Sequence, residues 1–269
     1  MDERTETTRP PSGPRYDEPP IIQFRGVKKA FGPKVVFEDC TLDIYRGETI
    51  AVIGGSGTGK SVLLKMLIGL LKPDAGSIQA FGTEVTRQAE PDLLPVRKRI
   101  AMLFQGGALI DSLTVAQNIK YGLREHHWGS EPKMDERVAE VLEMVGLPNS
   151  QLLKPAQLSG GMRKRVGLAR AIAIQPEVIL YDEPNTGLDP INVRRINGLI
   201  LSLQKKLGVT SIVVTHDMDS AFTVSDRLAM VHERHIAFTG TKEETQSCES
   251  RYVREFIAGG RGVLEEDVE

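Results

Sequence analysis

The sequence has few cysteines, no strong net charge and no long apolar run. Its only two cysteines, Cys40 and Cys248, lie far apart and outside any CxxC pattern, so neither a zinc site nor a redox motif is predicted. The formal net charge of −2 argues against nucleic acid as a partner. No apolar stretch approaches the roughly 18 residues of a membrane span, and the polar start lacks the apolar core of a secretory signal. We therefore expect a cytoplasmic chain that acts at a membrane only through a partner.

The remaining composition is ordinary for a globular protein, with 40% apolar and 26% charged residues. Residues 1–20 are polar and rich in proline, which predicts a disordered tail. We expect one ordered domain over residues 21–245. A C-terminal helix and a flexible acidic tail are expected within residues 246–269.

Apolar segments predict two sets of strands. A small antiparallel sheet near the amino terminus is expected from Ile21–Phe24, Val35–Phe37 and Thr41–Ile44. Three later runs are continuously apolar, as in strands buried on both faces of a parallel sheet: Thr49–Ile53, Val178–Tyr181 and Ser211–Val214. Parallel sheets place their chemistry at the carboxyl ends of strands. The polar residues that follow these three runs are therefore expected to meet at one edge.

Helical periodicity occupies much of the rest of the chain. We predict a mostly helical insertion at about residues 106–170, with helices at Glu136–Val145 and Arg163–Ile174. Another amphipathic helix is predicted at Pro190–Leu207, ended by glycine. A hairpin is expected over Val231–Gly240, although the residues at its turn are not those that hairpin turns usually favour.

Residues 54–61 fit the phosphate-binding loop pattern G-x-x-x-x-G-K-[ST]. They are Gly54, Gly55, Ser56, Gly57, Thr58, Gly59, Lys60 and Ser61. Glycines let the backbone N–H groups face one point, and the start of the following helix adds partial positive charge there. Lys60 is predicted to reach the β- and γ-phosphates of ATP, and Ser61 to offer its hydroxyl to Mg²⁺.

Two carboxylates follow the second buried run. Asp182 at the strand end is predicted to hold Mg²⁺, and Glu183 to polarise the attacking water as a general base. Surface acids commonly end strands, so this pair is a weak signal alone. Its position downstream of a phosphate loop makes it a strong one.

A second helix start suited to an anion lies at Ser159, Gly160 and Gly161. Ser159 suits an N-cap, and the two glycines leave backbone N–H groups uncovered. A plain helix cap is the alternative reading. The chain therefore has two segments suited to the γ-phosphate of ATP, the phosphate loop and the Ser159 segment, but only one phosphate loop. We therefore predict a homodimer. Each Ser159 segment would then close over the ATP held by the other copy.

In order, these motifs resemble the nucleotide-binding subunit of an ABC transporter over about residues 21–245. They are the Gly54 loop, Leu158-Ser159-Gly160-Gly161, Tyr181-Asp182-Glu183-Pro184, Gly187-Leu188-Asp189 and His216. The resemblance implies an ATPase of the α/β class with a P-loop NTPase (ABC ATPase) fold. That fold has a mostly parallel core sheet, an N-terminal antiparallel β subdomain and an α-helical subdomain.

The same resemblance implies roles for single residues. Phe31 would stack on adenine, although an aromatic residue there is as often simple packing. Gln105 would sense the γ-phosphate and Mg²⁺ and face a membrane partner. Asp189 would communicate across the dimer. His216 would hold the γ-phosphate and orient Glu183.

Two positions depart from the family pattern. Met162 stands where most of the family has glutamine, outside the predicted phosphate contact, so hydrolysis is still expected. Val62 follows Ser61 where a second hydroxyl residue is usual. One side-chain contact to phosphate is therefore expected to be absent, with somewhat lower nucleotide affinity.

A narrower resemblance is to the ATPase of bacterial lipid transporters of the Mla and MCE type. It rests on residues 97–100, 102–109, 111–115 and 123–126, on the Leu158–Met162 signature and on residues 254–257. It implies phospholipid transport that maintains outer-membrane lipid asymmetry in a Gram-negative-type envelope. The implied partners are an integral-membrane permease, an MCE-domain protein and a STAS-domain protein, with the ATPase on the cytoplasmic face of the inner membrane.

Several alternatives compete with this reading. The nearest is the ATPase of an importer for a small polar solute. A DNA-maintenance ABC ATPase would carry long coiled-coil insertions, and no sustained heptads occur. A ribosome-acting factor would carry two tandem ATPase halves. A non-catalytic regulator is disfavoured because Lys60, Asp182, Glu183 and His216 are all present.

Overall fold

A ten-stranded mixed sheet organises the chain in the computed structural model, which describes residues 13–259. In chain order, the strands are β1 (Ile22–Phe31), β2 (Lys34–Ile44), β3 (Thr49–Ile53), β4 (Ala75–Ala80), β5 (Thr83–Glu84), β6 (Ile100–Leu103), β7 (Val178–Asp182), β8 (Thr210–Thr215), β9 (Arg227–His232) and β10 (His235–Thr241). Across the sheet they run in the order β5-β4-β1-β2-β10-β9-β3-β8-β7-β6.

The half of the sheet from β9 to β6 is parallel throughout. Strands β3, β7 and β8 are buried along their whole length, as their continuous apolar sequences predict for strands covered on both faces. The three predicted core strands are confirmed. The parallel strand β6 was not predicted, because it has only four residues and follows charged Arg99 directly.

The amino-terminal strands β1, β2, β4 and β5 pair antiparallel, as predicted, but β1 and β2 are longer than expected, and β2 meets β10 in a parallel pair. Strand β1 pairs with both β2 and β4. The prediction of separate strands at Val35–Phe37 and Thr41–Ile44 is wrong, since both belong to β2. Polar Glu38 and Asp39, which interrupt the apolar pattern, are both exposed within one continuous strand.

The predicted hairpin is confirmed as β9 and β10, which pair antiparallel. Its turn residues, Glu233 and Arg234, both have left-handed backbones with φ of 45° and 68°. Two consecutive left-handed residues match the twist of a tight hairpin turn. The turn was hard to predict because neither residue is the usual glycine or asparagine.

Helices cover both faces of the sheet. Those of residues 13–259 are α1 (Lys60–Leu67), α2 (Leu94–Arg97), α3 (Val115–Glu125), α4 (Glu131–Met144), α5 (Gly160–Ala173), α6 (Pro190–Leu207), α7 (Met218–Val224), α8 (Lys242–Gln246) and α9 (Arg251–Ile257). Helix α6 has the predicted bounds. Asp189 accepts hydrogen bonds at its start, and Gly208 ends it with φ of 65°.

Helices α3, α4 and α5 form a group between strands β6 and β7 along the chain. Their apolar faces share a core with Leu103, Ile179 and Tyr181 of the sheet and with Ile200 of α6. The signature segment at Ser159 is therefore mounted on a helix that packs directly on the sheet.

Part of the segment expected to be disordered contacts the turn that follows β2. Residues 13–20 fall within the segment expected to be disordered, yet the Arg15 amide donates to the Arg46 carbonyl at 3.0 Å. The Tyr16 ring also meets the Tyr45 ring edge-on, with centroids 5.3 Å apart. Residues 1–12 and the acidic residues 260–269 lie outside the described part. Within the described part, no helix combines the length and apolarity needed to cross a membrane.

Candidate active site

The phosphate-loop pattern lies between β3 and α1, where it was predicted. Gly54, Gly57 and Gly59 have φ values of 154°, 78° and 101°, a region that side chains other than glycine rarely adopt. A Cβ atom on Gly59 would lie 2.3 Å from Cγ1 of Val36. Glycine is therefore required at this position by both backbone conformation and space.

The Lys60 side chain folds back along this loop. Its Nζ donates to the Gly54 and Gly55 carbonyls at 2.8 and 2.9 Å and lies 3.8 Å from Oε1 of Glu183. Burial lowers the pKa of Lys60, while the negative charges of Glu183 and Asp182 raise it. The ammonium group is thus held between the phosphate loop and the acidic end of β7.

Ser61 and Asp182 place two potential oxygen ligands for a metal ion next to each other. The Ser61 hydroxyl donates to Oδ1 of Asp182 at 2.6 Å, and Asp182 is buried at the end of β7. Hydroxyl and carboxylate oxygens suit Mg²⁺, which usually completes its shell with water and substrate phosphate. The donor chemistry here fits Mg²⁺. Over residues 13–259, no cluster of three or more His, Cys, Asp or Glu residues forms a self-contained metal site.

Glu183 is the most constrained side chain of the site. Its Oε2 accepts from the Thr186 hydroxyl at 3.1 Å and lies 2.9 Å from Nδ1 of His216. This ring nitrogen can donate to the carboxylate when it carries a proton. The backbone of Glu183 is left-handed, with φ of 49°, and its amide donates to the Val214 carbonyl of β8 at 2.9 Å.

Apart from Asp182, these groups line one cleft of about 510 Å³. Predicted site residues in its lining are Phe31, Ser56, Gly57, Gly59, Lys60, Ser61, Val62, Gln105, Glu183 and His216. Gln105 is exposed just beyond β6, and Phe31 is 45% exposed at the end of β1. The Phe31 ring has the Lys29 ammonium 5.2 Å from its centroid. The structure thus brings the residues predicted for phosphate, water and base into a single space.

A second cavity, of about 920 Å³, lies beside this cleft under helix α9. His216 lines both cavities, and Gly55 lines the larger one. The lining of the larger one includes none of Lys60, Asp182 and Glu183. The smaller cleft is therefore the one equipped for phosphate chemistry, despite its size.

The signature residues do not line the phosphate cleft of their own chain. Ser159 is the N-cap of α5, where its hydroxyl accepts from the Met162 amide at 3.2 Å. Gly161 lies against α6, where an added Cβ would be 2.8 Å from Asn192 Oδ1. Asp189 caps α6, accepting from the amides of Ile191 and Asn192. The prediction that a second copy supplies Ser159, Gly160 and Gly161 stays a prediction.

Sequence reasoning missed Thr186 and Lys164. Thr186 bonds Glu183, and Lys164 reaches the carbonyls that follow β7. Thr186 follows the acidic pair by three residues, a spacing at which a hydroxyl can turn back in a tight loop. Lys164 gave no such signal, because a lysine in an amphipathic helix is usually exposed.

A phosphate loop, a hydroxyl–carboxylate pair and a histidine-bound glutamate on a parallel sheet edge define a P-loop nucleoside triphosphatase. A family model described as ABC transporter matches residues 37–186. The chain therefore belongs to the ABC transporter family.

Relatives of known description agree with this assignment. The chain is 40% identical over 240 residues to a probable ribonucleotide transport ATP-binding protein, mkl, of Mycobacterium leprae, covering 89% of this chain and 69% of that protein. It is 37% identical over 239 residues to the intermembrane phospholipid transport system ATP-binding protein MlaF of Escherichia coli K12, covering 89% of each.

Solved structures share the fold. A dimer of the ATP-binding cassette MJ0796 in a post-hydrolysis state, bound to ADP and Pi, matches with a TM-score of 0.76 and 30% identity, covering 82% of this chain and 98% of that one. CbiO1 of Clostridium perfringens, part of the ABC transporter complex cbiONQ, matches with a TM-score of 0.78 and 27% identity over 91% and 97%. The predicted fold class is confirmed.

Proposed function

We propose that this chain is the ATP-binding and ATP-hydrolysing subunit of an ABC transporter that energises phospholipid transport. The observation that carries the enzymatic part is the position of Glu183. Its carboxylate lies in the same cleft as the phosphate loop, 3.8 Å from Lys60 and 2.9 Å from His216. A base held beside a phosphate-binding lysine is what hydrolysis of a bound nucleotide needs.

The residues of the cleft would have separate roles in ATP hydrolysis. Lys60 and the loop amides would bind the phosphates, with Lys60 exchanging its present carbonyl contacts for phosphate oxygens. Ser61 and Asp182 would hold Mg²⁺, which neutralises charge developing on the phosphates. Glu183 would take up the proton of the attacking water.

Other residues would position these groups. His216 contacts Glu183 through Nδ1, and its Nε2 would donate to the γ-phosphate when the ring carries a proton on both nitrogens. Gln105 would report occupancy of the cleft to a membrane partner. Phe31, exposed at the cleft mouth, would offer a face for the adenine ring.

A homodimer is proposed to complete the site. The signature residues lie outside the cleft of their own chain, and the related cassette MJ0796 is dimeric. Ser159, Gly160 and Gly161 of one copy would close over the nucleotide of the other, and Asp189 would lie near the seam between the copies. The uncovered N–H groups at the start of α5 supply the anion-binding chemistry.

Phospholipid is proposed as the cargo because the family resemblance and the MlaF relatives, which align over nearly their whole length, point the same way. The proposal extends to a permease, an MCE-domain protein and a STAS-domain protein as partners. The ATPase would then sit on the cytoplasmic face of the inner membrane through the permease. The physiological role would be to maintain outer-membrane lipid asymmetry.

The mycobacterial mkl relatives, described as probable ribonucleotide transporters, give a second candidate cargo. One experiment separates the two. The complex would be purified through a tag on this chain, and its co-purifying proteins and small molecules identified by mass spectrometry. An MCE-domain partner with bound phospholipid supports the proposal. A solute-binding partner with bound nucleotide, in place of the MCE protein, would replace phospholipid with the second cargo.

A further inference from the structure

A buried ammonium group joins helix α5 to the loop that follows β7. Lys164 is 5% exposed, and its Nζ donates to the carbonyl oxygens of Pro184 at 2.7 Å and Thr186 at 2.6 Å. The Glu183 carbonyl lies 3.5 Å away. An ammonium group has three donors and no acceptor. These carbonyls therefore occupy the whole bonding capacity of the side chain.

Packing alone does not require a lysine here. Helix α5 already buries Val166, Leu168 and Ile172 completely, and burying a charge is costly unless polar partners surround it. Burial lowers the pKa of Lys164, whereas the negative charge of Glu183 raises it. An apolar residue would pack the helix against the loop with a lower desolvation cost. The lysine instead contributes directional bonds to particular backbone atoms.

The carbonyl oxygens that Lys164 contacts lie in the segment that carries Glu183, the proposed general base. The gripped carbonyls belong to residues 183, 184 and 186, the segment from which the Glu183 and Thr186 side chains project. The Glu183 backbone is left-handed, so the segment needs outside support to keep that conformation. Helix α5 begins at Gly160, four residues before Lys164, and Ser159 is its N-cap.

We propose that Lys164 is a positioning residue that sets the Glu183 carboxylate for hydrolysis and ties it to the signature helix of the same chain. This rests on the proposed function, because it assigns Glu183 to the attacking water. A misplacement of about 1 Å in a reacting group can lower a rate about 100-fold. Loss of the ammonium is therefore expected to lower kcat and leave ATP affinity nearly unchanged.

The first test compares Lys164→Met, Lys164→Gln and Lys164→Arg in the full-length chain. For Lys164→Met, kcat is expected to fall roughly 100-fold, with KM for ATP within about threefold. Lys164→Arg, which keeps donors and charge, should recover much of the rate. Lys164→Gln keeps donors without charge and carries the test if the methionine variant fails to fold. Lys206→Met, at an exposed position of α6, is the matched control.

The second test asks which site Lys164 serves. Mixed dimers would be made from differently tagged chains, with Lys60→Ala in one chain to leave a single working site. Adding Lys164→Met to the chain with intact Lys60 should abolish most turnover, since that chain supplies the working Glu183. Adding it to the Lys60→Ala chain, which supplies only the signature helix to the working site, should change turnover little.

The proposal would be overturned by a normal kcat for Lys164→Met or, if that variant fails to fold, for Lys164→Gln, and equally by the same loss of turnover whichever chain carries the change. A raised KM with unchanged kcat would also overturn it. A mixed dimer with wild-type Lys164 in both chains that hydrolyses no ATP would mean that one intact site does not turn over alone, whereas absence of hydrolysis by the wild-type homodimer would count against the proposed function. In the first case, the kcat comparison among unmixed variants still decides the role of Lys164.

Discussion

At the scale of single residues, the site depends on one carboxylate held from several directions. Glu183 bonds Thr186 and contacts His216 and Lys60. Glu183→Gln keeps the shape and most of these contacts but removes the base. We expect ATP binding to persist and turnover to fall about 10²- to 10⁴-fold. Phosphate release and ATP-dependent dimerisation by light scattering measure the two effects.

Glu233→Gln, in the exposed turn of the β9–β10 hairpin, is the control for this change and should hydrolyse ATP at the wild-type rate. Near-normal hydrolysis by Glu183→Gln would remove Glu183 from the role of base. Loss of ATP binding would instead indicate that the carboxylate organises the phosphate loop.

Gly59 is the residue whose substitution meets the hardest obstacle. An alanine there would place Cβ 2.3 Å from Val36 and 3.0 Å from Phe37, at φ of 101°. We expect Gly59→Ala to lower the free energy of unfolding by roughly 1–3 kcal/mol and to impair nucleotide binding. Chemical denaturation and titration with a fluorescent ATP analogue test both effects.

Gly198→Ala is the matched control. Gly198 lies in the interior of α6 with open space around it and no positive φ. Alanine at such a position should raise the free energy of unfolding by about 0.5–1 kcal/mol. If Gly59→Ala were as stable as the wild type, the loop would not be as tightly enclosed as the structure indicates.

At the scale of elements, an ion-pair junction ties three parts of the sheet together. Glu177, just before β7, accepts from Nη1 of Arg46 at 2.9 Å and from Nη2 of Arg99 at 3.0 Å. Arg46 follows β2, and Arg99 precedes β6. The hydrogen bond from Arg99 is the larger cause that lowers the pKa of Glu177, and the bond from Arg46 adds to it.

This pKa shift predicts a pH dependence. A carboxyl with a lowered pKa in the folded state adds stability above its unfolded pKa, and that stability is lost as pH falls. Glu177→Gln should therefore cost at most about 1 kcal/mol near neutral pH, because the junction is partly exposed. The difference from wild type should shrink below about pH 4.3. Urea unfolding of both proteins at several pH values measures it. A difference that grows at low pH would contradict this account.

The elements also show how far sequence reasoning extends. The buried strands β3, β7 and β8 were predictable because continuous apolar runs leave few alternatives. Helix α6 was predictable because Pro190 and Gly208 mark its ends. Strand β6 has only four residues and a charged neighbour, so its pairing with β7 depends on tertiary structure. Likewise, Val35–Phe37 and Thr41–Ile44 belong to one strand, β2, because β2 pairs with β1 in the folded chain.

The candidate site divides in the same way. Motif spacing identified Lys60, Asp182 and Glu183 because each follows a buried strand. Thr186 and Lys164 act through contacts made only in the folded chain, one in a tight loop and one from a distant helix. No periodicity signals that a helical lysine will turn inward to bond three carbonyls.

At the scale of the whole molecule, the start of the signature helix does not line the phosphate cleft of its own chain. A shared site predicts complementation. Lys60→Ala and Ser159→Arg homodimers should both be inactive, since each spoils both of its sites. In a mixed dimer, the Ser159→Arg chain brings an intact phosphate loop and the Lys60→Ala chain an intact signature. One of the two sites is then whole.

Mixing the two inactive proteins should therefore restore up to about half of wild-type turnover at saturating ATP, following the fraction of mixed dimers. The restored activity should disappear when Glu183→Gln is added to the Ser159→Arg chain, which supplies the base. Adding it to the Lys60→Ala chain should have little effect. If each chain completed its own site, no mixture of these variants would hydrolyse ATP. Absence of rescue, with mixed dimers verified by two tags, would therefore contradict the shared site.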